Sequence, residues 1–245
     1  FLNVLEGWRF PSANIVFGDT KGNIGYSVIG AIPIRSPKAL QGGNATHQGT
    51  GSEHDWLGYM PYKYLPHVIN PDRGYILSAN HRPIASFYPS LLGISTGSGG
   101  DSDRSWRLRE RLQAEEKFTP QEVLDIHYDA VSAPKREILR LGYHMREFYN
   151  DDLSDDSLKA LEYLEDWYKK GARSDISVKG TELVNVISTF FRMTATELAF
   201  IHGGGNTGLS LFLKSTKERL ENNPKAEMSE LERQWINETL ATAWQ

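Results

Sequence analysis

The chain has 245 residues, of which 39% are hydrophobic, so it can bury a sizeable core in one large domain or in a core with an added lobe. Its formal charge of -4, without any run of Lys and Arg interleaved with aromatic residues, argues against nucleic-acid binding. The absence of cysteine excludes disulfides and thiolate sites, and no apolar run approaches the roughly 20 residues that cross a bilayer.

Residues 14–100 have the composition of strands and turns. Two β-like runs, 14–19 and 25–30, are separated by Thr20-Lys21-Gly22-Asn23, and these turn formers predict an antiparallel hairpin. Prolines at positions 61, 66 and 71 then favour an extended path, because they restrict φ. That path leads to a third predicted strand at Tyr75-Ile76-Leu77, whose β-branched and aromatic residues suit a sheet.

Asn80 follows this third predicted strand, and Pro83 favours a rigid, extended backbone at the residues before it. Two interpretations are open. An Asn after a strand often bonds its own backbone as a turn or cap residue. Alternatively, an uncharged amide at a strand end can donate a hydrogen bond to an oxyanion in an active site. The adjacent His81 is either a candidate base or a packed neighbour.

Residues 104–242 have mostly helical patterns, which predicts a division of the chain into 1–103 and 104–245. The clearest start signal is Thr119-Pro120-Gln121-Glu122, with Thr as N-cap, Pro at the first helical position and Glu at the third. One face of that helix is predicted to carry Val123, Ile126, His127 and Ala130. Further helices are predicted over 104–114, 155–169, 180–200, 207–220 and 229–244.

Charged clusters within these segments have structural interpretations. The arginines between 104 and 111 spread over more than one helix face, which favours ion-paired or solvated side chains over a phosphate-binding stripe. The acidic run 151–156 lies at a helix start, where negative charge favours the helix dipole. Glu53-His54-Asp55 is read as a solvated loop, because consecutive side chains rarely converge on one metal ion.

A series of short segments in the first half of the chain has a distinctive order and spacing. The segments are Pro11 to Asp19, Gly22 to Tyr26, Gly30 to Arg35, Gly49-Thr50-Gly51, Asp55 to Pro61, Leu65-Pro66, Asn70-Pro71 and Gly74 to Pro83. This series resembles the penicillin acylase family of N-terminal nucleophile hydrolases, in particular the middle of its β subunit. The resemblance implies an α+β fold, part of a four-layer αββα sandwich. The antiparallel sheets would come from 1–103 and a mostly helical lobe from 104–245.

In the family that the chain resembles, a maturation cut frees a chain that begins with Ser. The Ser hydroxyl attacks an amide while its α-amine serves as the base. Phe1 has no hydroxyl. The resemblance therefore implies that another chain or segment carries the N-terminal Ser, and that an α subunit completes a processed heterodimer.

The resemblance also implies catalytic roles for two residues. Asn80 matches the family's oxyanion asparagine, whose side-chain amide donates to the tetrahedral intermediate. Arg104 matches its active-site arginine, whose charge can orient the asparagine or substrate and favour the neutral α-amine. The other interpretation of Arg104 is an ion-paired arginine at a helix start. His81, Phe87 and Tyr88 are expected to contact substrate.

Calcium is possible in this family, although no cofactor is required for the chemistry. The family's acidic ligand follows a Tyr-Pro pair, but here Tyr88-Pro89 is followed by Ser90-Leu91-Leu92, which supplies no carboxylate. A hard cation needs several oxygen ligands, so the resemblance implies a weakened or displaced site. No metal ligands are predicted in this chain.

The leading functional hypothesis is an amidohydrolase that acts on a small N-acylated molecule. The substrate could be a β-lactam with an acyl side chain, an acyl-homoserine lactone or a related amide, and by resemblance the enzyme is periplasmic or secreted. The alternative is a noncatalytic scaffold or binding module that keeps the acylase fold. The presence of Asn80 and Arg104 favours the enzyme, whereas Phe1 in place of Ser favours the scaffold. Neither nucleic acid nor a membrane is expected as a partner.

Overall fold

A computed structural model of the protein describes residues 2–39, 45–81, 83, 84, 88, 92, 102–194, 205–224 and 226–245. The chain forms two compact units, an N-terminal unit (Phe1–Gly99) and a C-terminal unit (Gly100–Gln245). Within the described ranges, no helix is both long enough and apolar enough to span a membrane.

Short antiparallel sheets form the framework of the N-terminal unit. Its described elements are a short helix α1 (Leu2–Leu5) and the strands β1 (Ala13–Gly18), β2 (Ile24–Ile29), β3 (Pro33–Ile34), β4 (Gly58–Tyr59) and β5 (His67–Ile69). One sheet has the order β1-β2-β5, and the other pairs β3 with β4. The predicted hairpin is confirmed, with Val16 opposite Tyr26 in its register. β2 lies between two neighbours and is almost fully buried.

The third strand of the larger sheet is β5, and the prediction of a strand at Tyr75-Ile76-Leu77 is wrong. A turn intervenes, in which Gly74 adopts a φ of 70° and its N–H donates to the Pro71 carbonyl over 2.9 Å. The carbonyl of Tyr75 then accepts from the Arg73 side chain over 2.9 Å, a bond to a side chain where a strand would need a backbone partner. Residues 75–78 therefore have no assigned strand structure, and they reach Asn80 as an irregular segment.

The C-terminal unit is helical. Its described helices are α2 (Asp103–Gln113), α3 (Pro120–His127), α4 (Ala133–Phe148), α5 (Asp155–Lys169), α6 (Thr181–Thr194), α7 (Gly205–Asn222) and α8 (Glu230–Trp244), with a 3-10 turn at Asn150–Asp152. The predicted start of α3 is confirmed as a full capping box between Thr119 and Glu122. The predicted apolar face of α3 is wrong in part, because the helix ends at His127 and Val123 is 44% exposed.

The central helix of the C-terminal unit, α4, was not predicted. It packs against α5, α6, α7 and α8, and four of its apolar side chains, Ile138, Leu139, Leu141 and Met145, are at most 1% exposed. Gly142 permits this packing, because a Cβ there would meet the Leu161 side chain at 2.8 Å and the Leu240 side chain at 3.2 Å. A side chain at position 142 would therefore displace these two buried Leu side chains.

A network of ion pairs joins α2, α4 and α7 beside this core. Arg136 Nη2 donates to Glu110 Oε1 over 2.7 Å, and Arg107 and Lys217 approach the same carboxylate at 3.1 and 3.5 Å. Arg136 and Arg140 also bind Glu137, which is only 2% exposed. Burial alone would raise the pKa of Glu110, but the hydrogen bonds and charge of Arg136, with Arg107 and Lys217, hold that pKa below its ordinary value of 4.5.

We expect Glu110→Gln to destabilise the protein in a pH-dependent way. A carboxyl whose pKa is lowered by folding stabilises the fold above its unfolded pKa, and this contribution is lost as the pH falls through the folded pKa. The variant should therefore lose about 1–2 kcal/mol at pH 7, and the difference from wild type should narrow below the ordinary pKa of 4.5. Urea unfolding at several pH values would measure this.

The matched control is Glu116→Gln, which removes the same charge from an exposed position after α2. It should change the unfolding free energy by less than about 0.5 kcal/mol at every pH. A loss for Glu110→Gln that stayed constant down to pH 3 would contradict the electrostatic account.

Candidate functional site

Asn80 has an unusual backbone conformation. Its φ is 55°, in the left-handed region that asparagine tolerates better than most residues with a side chain. The preceding Ala79 is 4% exposed and donates its N–H to His81 Nδ1 over 3.3 Å, whereas Asn80 itself is exposed. The buried residue before it and this local hydrogen bond fix the backbone that carries the Asn80 amide. Its role in catalysis stays a prediction.

A second left-handed asparagine shows what a structural amide does in the same unit. Asn70, with a φ of 47°, accepts from the N–H of Ile24 over 2.9 Å and donates to Asn23 Oδ1 over 2.8 Å. Asn23 in turn binds the Asp19 carboxylate through its N–H and its side-chain amide, at 2.8 and 2.7 Å. Asn70 therefore links the end of β5 to the turn of the β1–β2 hairpin.

The Asp19 carboxylate is a turn residue in this network. It also accepts from the N–H of Lys21 over 2.9 Å, and the hydrogen bonds from Asn23 are the main reason that its pKa lies below the ordinary value. Within the described parts of the chain, no group of three or more acidic or histidine side chains could hold a metal ion. His54 binds the Lys38 carbonyl over 3.1 Å and lies 3.6 Å from Glu53, so this loop is tied together by local contacts.

Of the predicted substrate-contacting residues, the two that the structure describes, His81 and Tyr88, do not line the same cavity. His81 is half-buried beside Asn80, and Phe87 lies outside the described residues. Tyr88 donates its hydroxyl to the carbonyl of Tyr64 and lines a separate cavity of about 770 Å³ in the N-terminal unit. Neither Asn80 nor His81 lines that cavity.

This cavity, hereafter the basic cavity, lies beside β3, the segment after β4 and the start of β5. Among the described residues that line it are three basic side chains, Arg35, Lys63 and His67, and no carboxylate. Arg35 Nε is buried without a hydrogen-bond partner among the described residues. Sequence reasoning missed these residues as a group, because position 35 comes near positions 63 and 67 through strand pairing, of β3 with β4 and of β2 with β5.

Arg104 belongs to the C-terminal unit, whereas Asn80 belongs to the N-terminal unit. Arg104 is an exposed residue in the first turn of α2, which Ser102 caps by accepting from the Ser105 N–H over 3.1 Å. It lines a cavity of about 400 Å³ together with Arg107, Arg111, Asp129 and others.

Asp129 binds two of the arginines in that cavity. Arg107 donates to Asp129 Oδ2 through Nε and Nη2 at 3.0 and 2.7 Å, and Arg111 lies 3.6 Å from the same oxygen. The interpretation of this arginine cluster as ion-paired is therefore confirmed for Arg107 and Arg111. Whether Arg104 acts in a catalytic site stays a prediction.

Comparison with known proteins gives a consistent result. The family model described as penicillin amidase matches residues 1–245. Penicillin acylase 2 proenzyme of Pseudomonas sp. (strain SE83) is 34% identical over 127 residues, which are 52% of this chain and 16% of that protein. Penicillin G acylase of Escherichia coli is 34% identical over 112 residues, 43% of this chain and 12% of that protein.

Two further relatives extend the comparison. The acyl-homoserine lactone acylase QuiP of Pseudomonas aeruginosa is 29% identical over 124 residues, 51% of this chain and 14% of that protein. In the solved structure of the thermostable penicillin G acylase from Alcaligenes faecalis, the match covers 99% of this chain and 47% of that chain, with a TM-score of 0.61 and 18% identity. This likeness confirms the predicted α+β fold class, because the chain has the fold of the corresponding part of that penicillin G acylase. The chain spans less than a fifth of each of these three sequence relatives and about half of the solved chain.

Proposed function

The chain belongs to the penicillin amidase family, and from this premise we propose that it forms part of an amidohydrolase that cleaves a linear amide between an acyl group and an amine. The similar proteins are named as penicillin acylases and as an acyl-homoserine lactone acylase, which supports a small N-acylated substrate. A β-lactam with an acyl side chain, an acyl-homoserine lactone and a related amide all fit this class. We propose a periplasmic or secreted location for the enzyme by the same resemblance.

The observation that carries the proposal is the Asn80 amide, held in an exposed position by a left-handed backbone next to buried Ala79. An oxyanion donor must be oriented before the reaction, so that no reorganisation is needed when charge develops on the substrate oxygen. A carboxamide suits this role because it donates a hydrogen bond without titrating. We propose that Asn80 donates to the oxyanion of the tetrahedral intermediate.

The attacking group in this proposal is the hydroxyl of an N-terminal Ser that lies outside these 245 residues, in another segment or a partner chain with an α subunit. The hydroxyl oxygen bonds to the acyl carbon while the Ser α-amine takes the hydroxyl proton. Collapse of the intermediate breaks the C–N bond, and the amine leaves with that proton. Water then hydrolyses the acyl ester and releases a carboxylic acid.

The remaining predicted residues are assigned supporting roles. Arg104 is proposed to favour the neutral form of the Ser α-amine by its positive charge. His81, adjacent to Asn80, is proposed to contact the substrate, and Phe87 and Tyr88 are proposed to contact it on the amine side. Calcium is not needed for any step above.

We expect Asn80→Asp to lower kcat about a hundred- to a thousandfold, because it removes one oxyanion donor. Aspartate has almost the same shape and also tolerates the left-handed conformation, so the melting temperature should change little. Steady-state kinetics with an N-acyl substrate and thermal unfolding of the assembled enzyme would measure both. An unchanged kcat would exclude the oxyanion role.

The matched control is Asn70→Ala, at the other left-handed asparagine of the same unit. It removes the bonds to Ile24 and Asn23 and places Ala at a φ of 47°, so it should destabilise the fold by about 1–3 kcal/mol. The kcat of the folded variant should stay near that of wild type. Asn70→Ala should therefore lower stability and Asn80→Asp should lower kcat.

A second prediction concerns the charge of Arg104. Arg104→Gln removes a positive charge from the proposed site, so the pKa of the Ser α-amine should rise and the acidic limb of the kcat/KM profile should move to higher pH by about one unit. Arg104→Lys keeps the charge and should restore the wild-type profile. Identical profiles for Arg104→Gln and wild type would remove Arg104 from the proposed mechanism.

A third prediction concerns the nucleophile. Mass spectrometry of the active protein should find a polypeptide that begins with Ser, and acid quenching during turnover should trap the acyl group as an ester on that residue. The absence of such a polypeptide from material that contains this chain, with no hydrolysis of any N-acyl substrate, would instead favour the noncatalytic scaffold.

A further inference from the structure

The basic cavity has a lining of one charge sign. Arg35, Lys63 and His67 line it, and the part of the lining that the structure describes includes neither Asp nor Glu. Within the described ranges, none of these three side chains forms an ion pair with a carboxylate. This differs from the C-terminal unit, where Arg107, Arg136 and Arg140 each bind a carboxylate at 3.1 Å or less. A concave surface with only basic groups attracts a small anion.

Arg35 gives the strongest indication. Its Nε is shielded from solvent and has no hydrogen-bond acceptor among the described residues, although buried polar groups in proteins are nearly always hydrogen-bonded. A guanidinium presents its donors in a planar fork that matches a carboxylate. A ligand carboxylate in the basic cavity would face the Arg35 guanidinium, whose Nε has no acceptor among the described residues.

The rest of the cavity wall is apolar. Ile34, Met60 and Leu65 line it, and Pro33, Pro61 and Pro66 add rigid apolar surface. Tyr88 is anchored to the carbonyl of Tyr64, and both rings belong to the lining. With a volume of about 770 Å³, the cavity is within the range of small-molecule sites, which combine apolar walls with a few polar groups. An inorganic anion would satisfy Arg35 but would leave these walls uncovered.

We propose that the basic cavity binds a small carboxylate with an apolar body, in which Arg35 and Lys63 contact the carboxylate and the Ile34, Met60 and Leu65 walls contact the body. The choice of a carboxylic acid rests on the proposed function, since hydrolysis of an N-acyl amide releases one. Two sources share this chemistry, the released acyl acid and an amine product that itself carries a carboxylate. The proposed occupant of the cavity is thus a product of the reaction, and neither Asn80 nor Arg104 is among the residues that line it.

Isothermal titration of the whole assembled protein with octanoate tests the proposal. Octanoate should bind, whereas octanamide, which has the same body without the charge, should bind at least tenfold more weakly. Raising the salt concentration should weaken octanoate binding, because an exposed charge such as Lys63 contributes. A parallel titration uses 6-aminopenicillanate, which carries its carboxylate on the amine half. Tighter binding of octanoate would indicate the acyl acid as the occupant, and tighter binding of 6-aminopenicillanate would indicate the amine product.

Variants assign the binding to this cavity. Arg35→Met keeps the apolar stem and removes the guanidinium, and it should weaken octanoate binding about tenfold or more. Lys63→Met, at an exposed position, should weaken it about threefold without affecting folding. Arg73→Met and Lys21→Met remove the same charges from the same unit outside the cavity lining and should leave binding unchanged.

Thermal unfolding distinguishes a ligand-binding role of Arg35 from a structural one. Because its Nε has no described partner to lose, Arg35→Met should not lower the melting temperature, and octanoate should raise it for wild type only. Absence of octanoate binding, or binding that neither Arg35→Met nor Lys63→Met weakens, would overturn the proposal.

These outcomes are separable from those of the proposed function. If Asn80→Asp left turnover intact while Arg35→Met abolished octanoate binding, the proposed oxyanion role would fail and the basic cavity would stand. If turnover depended on Asn80 but octanoate did not bind, the cavity proposal alone would fail.

Discussion

The hydrogen bonds of Asn70 are the constraint on which the arrangement of the N-terminal unit depends. Its side chain joins the end of β5 to the hairpin turn through Ile24 and Asn23, residues 46 and 47 positions earlier. Asp19 holds the same turn closed from the β1 side. The chain therefore leaves the sheet from a fixed point and in a fixed direction, and ten residues later it reaches Asn80. The segment that carries Asn80 thus starts from this structural amide, while the backbone of Asn80 itself is fixed locally by Ala79 and His81.

The C-terminal unit depends on the pairing of a buried carboxylate with arginines. α4 is buried on several sides, and its surface includes Glu137, a carboxylate with 2% exposure. Such a charge is tolerated only when it is paired, and Arg136 and Arg140 supply the pairs at 3.1 and 2.5 Å. The ion pairs thus allow a helix with many charged residues to serve as the centre of a helical core, while Gly142 allows α5 to approach it.

Local signals in the sequence were sufficient for some elements. The hairpin turn formers and the capping box at Thr119 act over a few residues, and both predictions are confirmed. α5 begins at Asp155 and ends at Lys169, as predicted. α4 was missed because charged residues interrupt its apolar positions. One of these charged residues, Arg136, pairs with Glu110 of α2, and this pairing is visible only in three dimensions. The prediction of a strand at 75–77 was wrong because the turn at Gly74 precedes it and the Tyr75 carbonyl bonds the Arg73 side chain.

The candidate site, like α4, could be predicted from the sequence only in part. The family resemblance identified Asn80 and Arg104 by position, but nothing in the sequence indicated that Asn80 has a left-handed backbone or that Ala79 beside it is buried. The basic cavity was not predicted, because Arg35 comes near Lys63 and His67 through strand pairing between segments that are separate in the sequence. Residues that act together across such distances require the tertiary structure.

The backbone at position 80 also restricts how this protein can change over evolutionary time. At a φ of 55° the residues that fit with least strain are glycine, asparagine and aspartate. Selection for folding alone would accept all three residues, whereas an oxyanion donor requires asparagine, the only one of them with a side-chain N–H. A homologue with aspartate or glycine at this position is therefore expected to keep the fold and to lack the proposed oxyanion donor.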